Sequence, residues 1–217
     1  NEVGYDIVVP GNHEFDYGMA RMLELMEMHK ATVVSCNFTS LRTDEAVFRP
    51  YSIIDYGDTR IAYVGVTTPK TFTSSTPKYF QDDAGKYIYG FAEDATGEAL
   101  YKAVQNAVDD AIAAGADYVI AVGHCGIGDD VKPWQSTDII ANTTGISAFI
   151  DGHSHSTIAG DVYKNKDGED VLLTSTGTKL AAFGKLILTP EGNIRTELVA
   201  DYSKKDDRVD SFVKQIQ

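Results

Sequence analysis

Three short apolar segments of this 217-residue chain, at 5–9, 117–122 and 147–150, close in the same way, with a glycine and then a histidine. The first runs into Gly11, Asn12 and His13, the second into Gly123 and His124, and the third into Gly152, His153, Ser154 and His155. Apolar runs of that length, bounded by glycine, read as buried strands. Glycine at their ends lets the backbone turn sharply and approach a ligand closely. Ligands in open α/β sheets bind outside the carboxyl ends of strands. Four of the five histidines are therefore predicted to lie just beyond strand ends, at one edge of one sheet.

Apolar spacing fills in the rest of the order. Met19, Met22, Leu23, Leu25 and Met26 recur at helical intervals within 18–29, and 31–36 reads as the next strand, giving the strand, helix, strand unit of a parallel sheet. Residues 48–54 and 60–67 are predicted strands across the turn Tyr56, Gly57, Asp58. The stretch 68–90, rich in Thr, Ser, Pro, Tyr and Asp without a period, reads as a long surface loop, a kind that is often functional. Helices are expected over 92–114, stopped by Gly115, and near 137–141. Strands at 158–163, 171–175, 181–189 and 194–200 follow closely, with turns at 165–168 and 190–193, which predicts antiparallel pairing. Residues 206–217 read as a polar helix with Val209, Phe212, Val213 and Ile216 on one side, so a main domain over 1–205 and a terminal helix or linker start over 206–217 are expected.

Charge narrows the function classes. With 19 Lys and Arg against 32 Asp and Glu, the net charge is −13, which argues against binding nucleic acid through phosphate neutralisation. A small anionic substrate would need a local positive centre, and a bound metal is one way to supply it. No run of about 18 apolar residues is present to span a membrane. Cys36 and Cys125 are too few for a disulfide framework and read as buried free thiols. Phosphate-loop, dinucleotide-turn and nucleophile-elbow motifs are absent from the sequence.

The histidine segments carry the candidate chemistry. Imidazole suits zinc, manganese, iron and nickel, and Asn12 offers an uncharged oxygen to the same set. His153 and His155 alternate with Gly152 and Ser154, so on an extended segment both side chains would leave one face and could serve one ion or two. His13 is followed at the third residue by Asp16, close enough for the carboxylate to fix the tautomer and make the ring a better general acid. Asp16 could equally cap the following helix, and both can hold together. Glu14 reads as a solvated residue or one behind the site, His29 as a helix-end residue outside it, and Trp134 as packing. Cys125 reads as a strand-end core thiol in preference to a soft metal ligand.

The segments GYDIVVPGNHEFDYG, VGHCGIG and IDGHSHS, in that order, resemble the 5′-nucleotidase branch of the calcineurin-like metallophosphoesterases. The resemblance spans essentially the whole chain and implies an α/β fold, the α/β/β/α sandwich of a two-metal phosphoesterase acting on nucleotides. It implies Asn12, His124 and His153 as ligands of one divalent ion (zinc, manganese or similar), and His155 as a ligand of the other. It also implies Asn12 and His13 as substrate contacts, with His13 and Asp16 the catalytic pair on the phosphate. Position 125 is more often Leu in that motif. The family's Asp-x-His and Gly-Asp motifs, which supply further ligands, have no counterpart in these residues, nor does its nucleoside-binding domain. The N-terminus reads as a mature or cut product, without an initiator Met or a signal peptide. An internal fragment, truncated at the N-terminus, is therefore expected. It should hold at most one ion weakly, have little activity alone, and associate or swap with a second chain if stable. Secretion, to the periplasm, cell wall or medium, is likewise implied. The alternatives are a cyclic-nucleotide or sugar-nucleotide phosphodiesterase, a hydrolase of sulfur esters, and a non-catalytic remnant acting as a binding module.

Overall fold

The computed structural model describes residues 1–216. The first apolar run supplies a two-residue strand, β1 (Ile7–Val8), and the helical spacing after Gly18 becomes α1 (Met19–Glu27), which buries Met22 and Met26. Between them Asn12–Phe15 makes a single 3-10 turn. The chain returns as β2 (Thr32–Val33), parallel to β1 with Ile7 opposite Thr32 and Val8 opposite Val33. After the short antiparallel pair β3 (Thr39–Ser40) and β4 (Glu45–Ala46) come β5 (Tyr51–Tyr56) and β6 (Thr59–Thr67), a hairpin closed by Gly57 and Asp58. A Cβ at Gly65 would stand 2.2 Å from the Val34 carbonyl oxygen, so the segment after β2 can close onto β6 only where no side chain intervenes.

The stretch 68–90 is not the surface loop its composition suggests. It folds into a helical turn, α2 (Thr71–Ser74), a 3-10 turn at Pro77–Phe80, and β7 (Tyr89–Gly90), which pairs with β3. Its aromatic residues carry the packing: Phe80 is fully buried, and Phe72 meets Phe80, Tyr87 and Phe91 at ring-centroid distances of 5.1, 5.1 and 5.2 Å. Isolated aromatics at irregular spacing give no period to read, which is why the pattern missed them.

The second half completes the central sheet. α3 (Glu98–Ala113) starts six residues later than its spacing predicts, because the Asp94 carboxylate accepts the N–H groups of Thr96, Gly97 and Ala99 and holds 94–97 as a turn. There follow β8 (Tyr118–His124), α4 (Ser136–Asn142), β9 (Ala148–Asp151), and the antiparallel pair β10 (Thr157–Lys164) and β11 (Asp170–Thr176). The hairpin β12 (Phe183–Leu188) and β13 (Ile194–Val199) and the terminal α5 (Asp207–Ile216) end the order, with Gln217 of the predicted terminal helix lying outside the described residues. One sheet runs β10-β11-β9-β8-β6-β5, and its inner pairs β6 with β8, β8 with β9, and β9 with β11 are parallel.

Two cores hold these elements. On one face of the sheet, Leu100, Val104 and Val108 of α3 and Ile139 and Ile140 of α4 pack on Val64, Ala121, Phe149 and Leu173. Full burial of side chains of this size stabilises by about 1.5–3 kcal/mol each. On the other face, Leu186 and Leu188 of β12 line a groove with Ile61, Tyr63, Ile120 and Ile150. The second layer is thus made of small separate sheets instead of one continuous sheet. A separate aromatic cluster joins Phe15 of the first turn to Phe38, Phe80 and Phe91, with Phe38 stacked on Phe91 at 4.8 Å. Among the described residues no helix is long and apolar enough to cross a membrane.

Replacing Phe38, fully buried at the centre of that cluster, with alanine is expected to cost about 3–5 kcal/mol in urea denaturation with an unchanged m-value. A loss below about 1 kcal/mol would mean that the cluster can collapse around the void and does not anchor the first turn.

Candidate active site

The carboxyl ends of β6, β8 and β9 and the exit of β1 converge. Thr67 closes β6 opposite His124, the last residue of β8, so His124 lies on the strand and not beyond it as predicted. The Thr67 hydroxyl donates to the Pro10 carbonyl at 3.1 Å. The Asn37 amide donates to the carbonyls of Thr67 and Phe91 at 2.6 and 2.8 Å and accepts the Thr67 N–H at 3.0 Å. Pro10 is thereby fixed immediately before the glycine that opens the 3-10 turn.

Within the turn, burial separates the side chains by role. Phe15 is driven into the aromatic cluster and Asn12 is 4% exposed, whereas His13 points to solvent. Glu14, expected to be solvated or to stand behind the site, is exposed and accepts the Gly11 N–H through Oε2 at 2.7 Å, which closes the turn. A Cβ at Gly11 would come within 2.9 Å of both that Oε2 and the His124 ring, so the approach of the turn to His124 requires glycine there.

Asn12, His124 and His153 meet. Asn12 Oδ1 lies 2.9 Å from His124 Nε2 and 3.0 Å from His153 Nδ1, and the two rings stand edge to face at 5.0 Å. With the amide oxygen accepting, each ring donates an N–H. Burial lowers the His124 pKa to about 4, with the neighbouring His153, His13 and His155 adding to the shift. Burial lowers His153 as well, opposed by the charge of Asp130. Both rings are neutral near pH 7, the form that ligates metal ions.

His155 stands apart. His153 and His155 have φ of +82° and +57°, so their segment is not extended and the shared face predicted from their alternation does not form. His155 remains exposed. The pairing of His13 with Asp16 is present, Nδ1 to Oδ2 at 2.7 Å, with the His13 side chain 78% exposed. Asp16 does not cap α1, whose N-cap is Gly18 with no side-chain bond. Cys125 is fully buried with its Sγ turned to the Val66 carbonyl, the core thiol expected, and Cys36 is half-buried and also free.

Two residues at the site escaped the sequence reading. Asn37 gave no signal beyond an amide in an apolar stretch, and Asp151 lay unread inside the quoted IDGHSHS. Asp151 is buried and accepts backbone N–H groups on both sides of the site. Burial raises its pKa, and those donors oppose the shift.

Among the described residues no three His, Cys, Asp or Glu side chains are grouped to hold a metal. The set that does converge is one amide oxygen and two neutral imidazoles, donors that fit part of the shell of a single borderline divalent ion. Against this geometry, the profile of the calcineurin-like phosphoesterases matches residues 2–157. The chain belongs to the calcineurin-like phosphoesterases. Enzymes of this family use divalent metals. The chain is 28% identical over 186 residues to a 2′,3′-cyclic-nucleotide 2′-phosphodiesterase/3′-nucleotidase of Haemophilus influenzae, covering 79% of this chain and 26% of that one. It is 27% identical over 160 residues to the snake venom 5′-nucleotidase of Crotalus adamanteus, covering 71% and 24%. The fold superposes on the sulfate thiohydrolase SoxB of Thermus thermophilus with a TM-score of 0.78 at 23% identity, over 98% of this chain and 36% of that one. The chain thus spans about a quarter of the length of these curated relatives.

Two outcomes are expected. Between pH about 6.5 and about 4 the unfolded chain binds a proton at His124 that the folded chain refuses, so stability is full above that window and falls as pH drops through it. In chelator-treated protein the loss attributable to His124 is on the order of 3 kcal/mol. Urea denaturation across the window should show a shallower slope for His124→Gln; equal slopes would refute the assignment. Separately, Gly11→Ala is expected to shift the His124 ring resonances in NMR spectra, by forcing Asn12 and Glu14 away from it.

Proposed function

We propose that this phosphoesterase hydrolyses nucleotide phosphoesters, with Asn12, His124 and His153 holding one divalent ion, zinc or manganese, and His13 with Asp16 facing the substrate phosphate. The meeting of Asn12 Oδ1 with His124 Nε2 and His153 Nδ1 at 2.9 and 3.0 Å carries this reading, because it joins three donors from three separate segments at one strand edge. When bound, such an ion supplies Lewis acidity toward a phosphoryl oxygen and makes water acidic enough to lose a proton near neutral pH.

The chain's own residues position and stabilise. Asp16 accepts from His13 Nδ1 and so aims the ring's other nitrogen outward; in the protonated ring, Nε2–H can donate to a phosphoryl or leaving-group oxygen. Lys70, whose Nζ donates to the Asp130 carbonyl at 2.9 Å, adds a cation beside His153. In a chain of net charge −13, such local cations are what admit an anionic substrate. Exposed His155 is left free for a second ion or the substrate. The nucleotide class is supported by the names of the cyclic-nucleotide and venom relatives, and export from the cytoplasm by the venom source of the latter. A second reading, a nucleotide-binding module without turnover, is favoured by the lack of any group of three His, Cys, Asp or Glu among the described residues.

Isothermal titration with Mn²⁺ is expected to give at most one weakly held ion per chain, with uptake weakened more than about tenfold in His124→Ala and in His153→Ala. Uptake unchanged in both would refute the ion site. Phosphate release from AMP and ring opening of 2′,3′-cyclic AMP to the monophosphate are expected to fall about 100-fold or more in His13→Ala while ion uptake stays constant. Nucleotide binding with no release in the unsubstituted protein would favour the second reading.

A further inference from the structure

The two histidine loops of the site come from strands distant in sequence, and one buried carboxylate ties them together. Asp151 is the last residue of β9 and is 8% exposed. Its Oδ1 accepts the N–H of Cys125 at 3.0 Å, of Gly126 at 3.2 Å and of Gly152 at 2.8 Å. The first two donors directly follow His124, and the third directly precedes His153. The Ser136 hydroxyl, at the start of α4 beside that carboxylate, donates to the Gly126 carbonyl at 3.3 Å. No Lys or Arg pairs with Asp151 among the described residues, so its charge is met chiefly by backbone dipoles.

Both loops need such a restraint. Gly126 and His153 hold φ of +77° and +82°, and for histidine the left-handed region is unfavourable and persists only where surrounding contacts impose it. Three N–H groups converging on one oxygen also call for a carboxylate, since charge-assisted bonds are roughly twice as strong as neutral ones. An asparagine keeps an oxygen of the same shape and loses the charge.

We propose that Asp151 is a positioning residue for the candidate ion site: by binding the backbone on both sides, it sets the separation of His124 and His153 and thereby the affinity of that pair for a divalent ion. It touches neither ion nor substrate and acts through the two loops. The part of this that concerns affinity rests on the ion site proposed above; the part that concerns the separation of the rings does not.

The test uses Asp151→Asn and, as a milder variant that removes only the hydroxyl donor, Ser136→Ala. Two readouts are taken: Co²⁺ titration followed by its visible absorption, and nuclear Overhauser contacts between the His124 and His153 rings in chelator-treated protein. Asp151→Asn is expected to weaken Co²⁺ uptake 10–100-fold, the range typical of residues that orient ligands from behind, and to diminish the ring contacts. Ser136→Ala should move both in the same direction by a smaller factor, which keeps the proposal testable if Asp151→Asn does not fold. Folded variants with lowered thermal stability but unchanged Co²⁺ affinity and unchanged ring contacts would overturn it, because a merely structural role predicts that result. If the unsubstituted protein takes up no Co²⁺, the ion reading fails, and the ring contacts alone decide whether Asp151 sets the separation.

Discussion

The turn Asn12–Phe15 is held from two sides by forces of different kinds, and the site depends on both. From behind, Phe15 is fully buried against Phe38, Phe80 and Phe91, a non-directional attraction that fixes depth but tolerates rotation. From the sheet side, Thr67 and Asn37 hold the Pro10 carbonyl and the end of β6 through short directional bonds. Their polar atoms are buried, so leaving any of them unpaired would cost about 1–3 kcal/mol. Depth and orientation together leave Asn12 facing the strand ends and His13 facing solvent.

Electrostatics divides the same residues. His124 and His153 are withdrawn from water and crowded by other imidazoles, and both effects favour the neutral ring. His13 and Asp16 sit in water at the mouth, where their hydrogen bond adds little to stability and the ring remains available to an incoming anion. The exposed ion pairs elsewhere, such as Lys132 with Asp129 and Arg208 with Glu2, are of the same weakly stabilising kind. The fold therefore rests on its two apolar clusters and its buried amide network, and the acidic surface leaves the site electrostatically distinct from its surroundings.

Strand ends and helix faces were legible because they leave a period: 117–122 and 147–150 fall on β8 and β9 to within two residues, and Met22 and Met26 face the core as their spacing predicts. That the segments of Asn12, His124 and His153 gather at one sheet edge was legible because each residue follows a glycine at a strand end, whereas the grouping of those three came from the family resemblance. What was not legible depends on contacts between distant residues. Asp94 shortens α3 from outside the helical pattern, Phe80 turns an apparent loop into core, and positive φ at His153 and His155 breaks an alternation that assumed extended backbone. Asp151, unread in the sequence, proved to be a buried acceptor for backbone N–H groups, a role that only the folded chain reveals.

The donors that converge at the strand edge are already engaged with one another. Asn12 Oδ1 accepts from both rings, so on the proposed reading an ion entering there must displace two hydrogen bonds before it gains three ligands. Each such bond contributes roughly 1 kcal/mol net. Together they would oppose uptake by about 2 kcal/mol, or roughly a factor of 30 in affinity. The same bonds hold the rings oriented and close, so that little ordering remains to be done on binding. On the proposed reading, weak affinity and a preformed geometry would arise from one set of contacts, and a change that loosened the loops would lose the geometry without recovering the affinity.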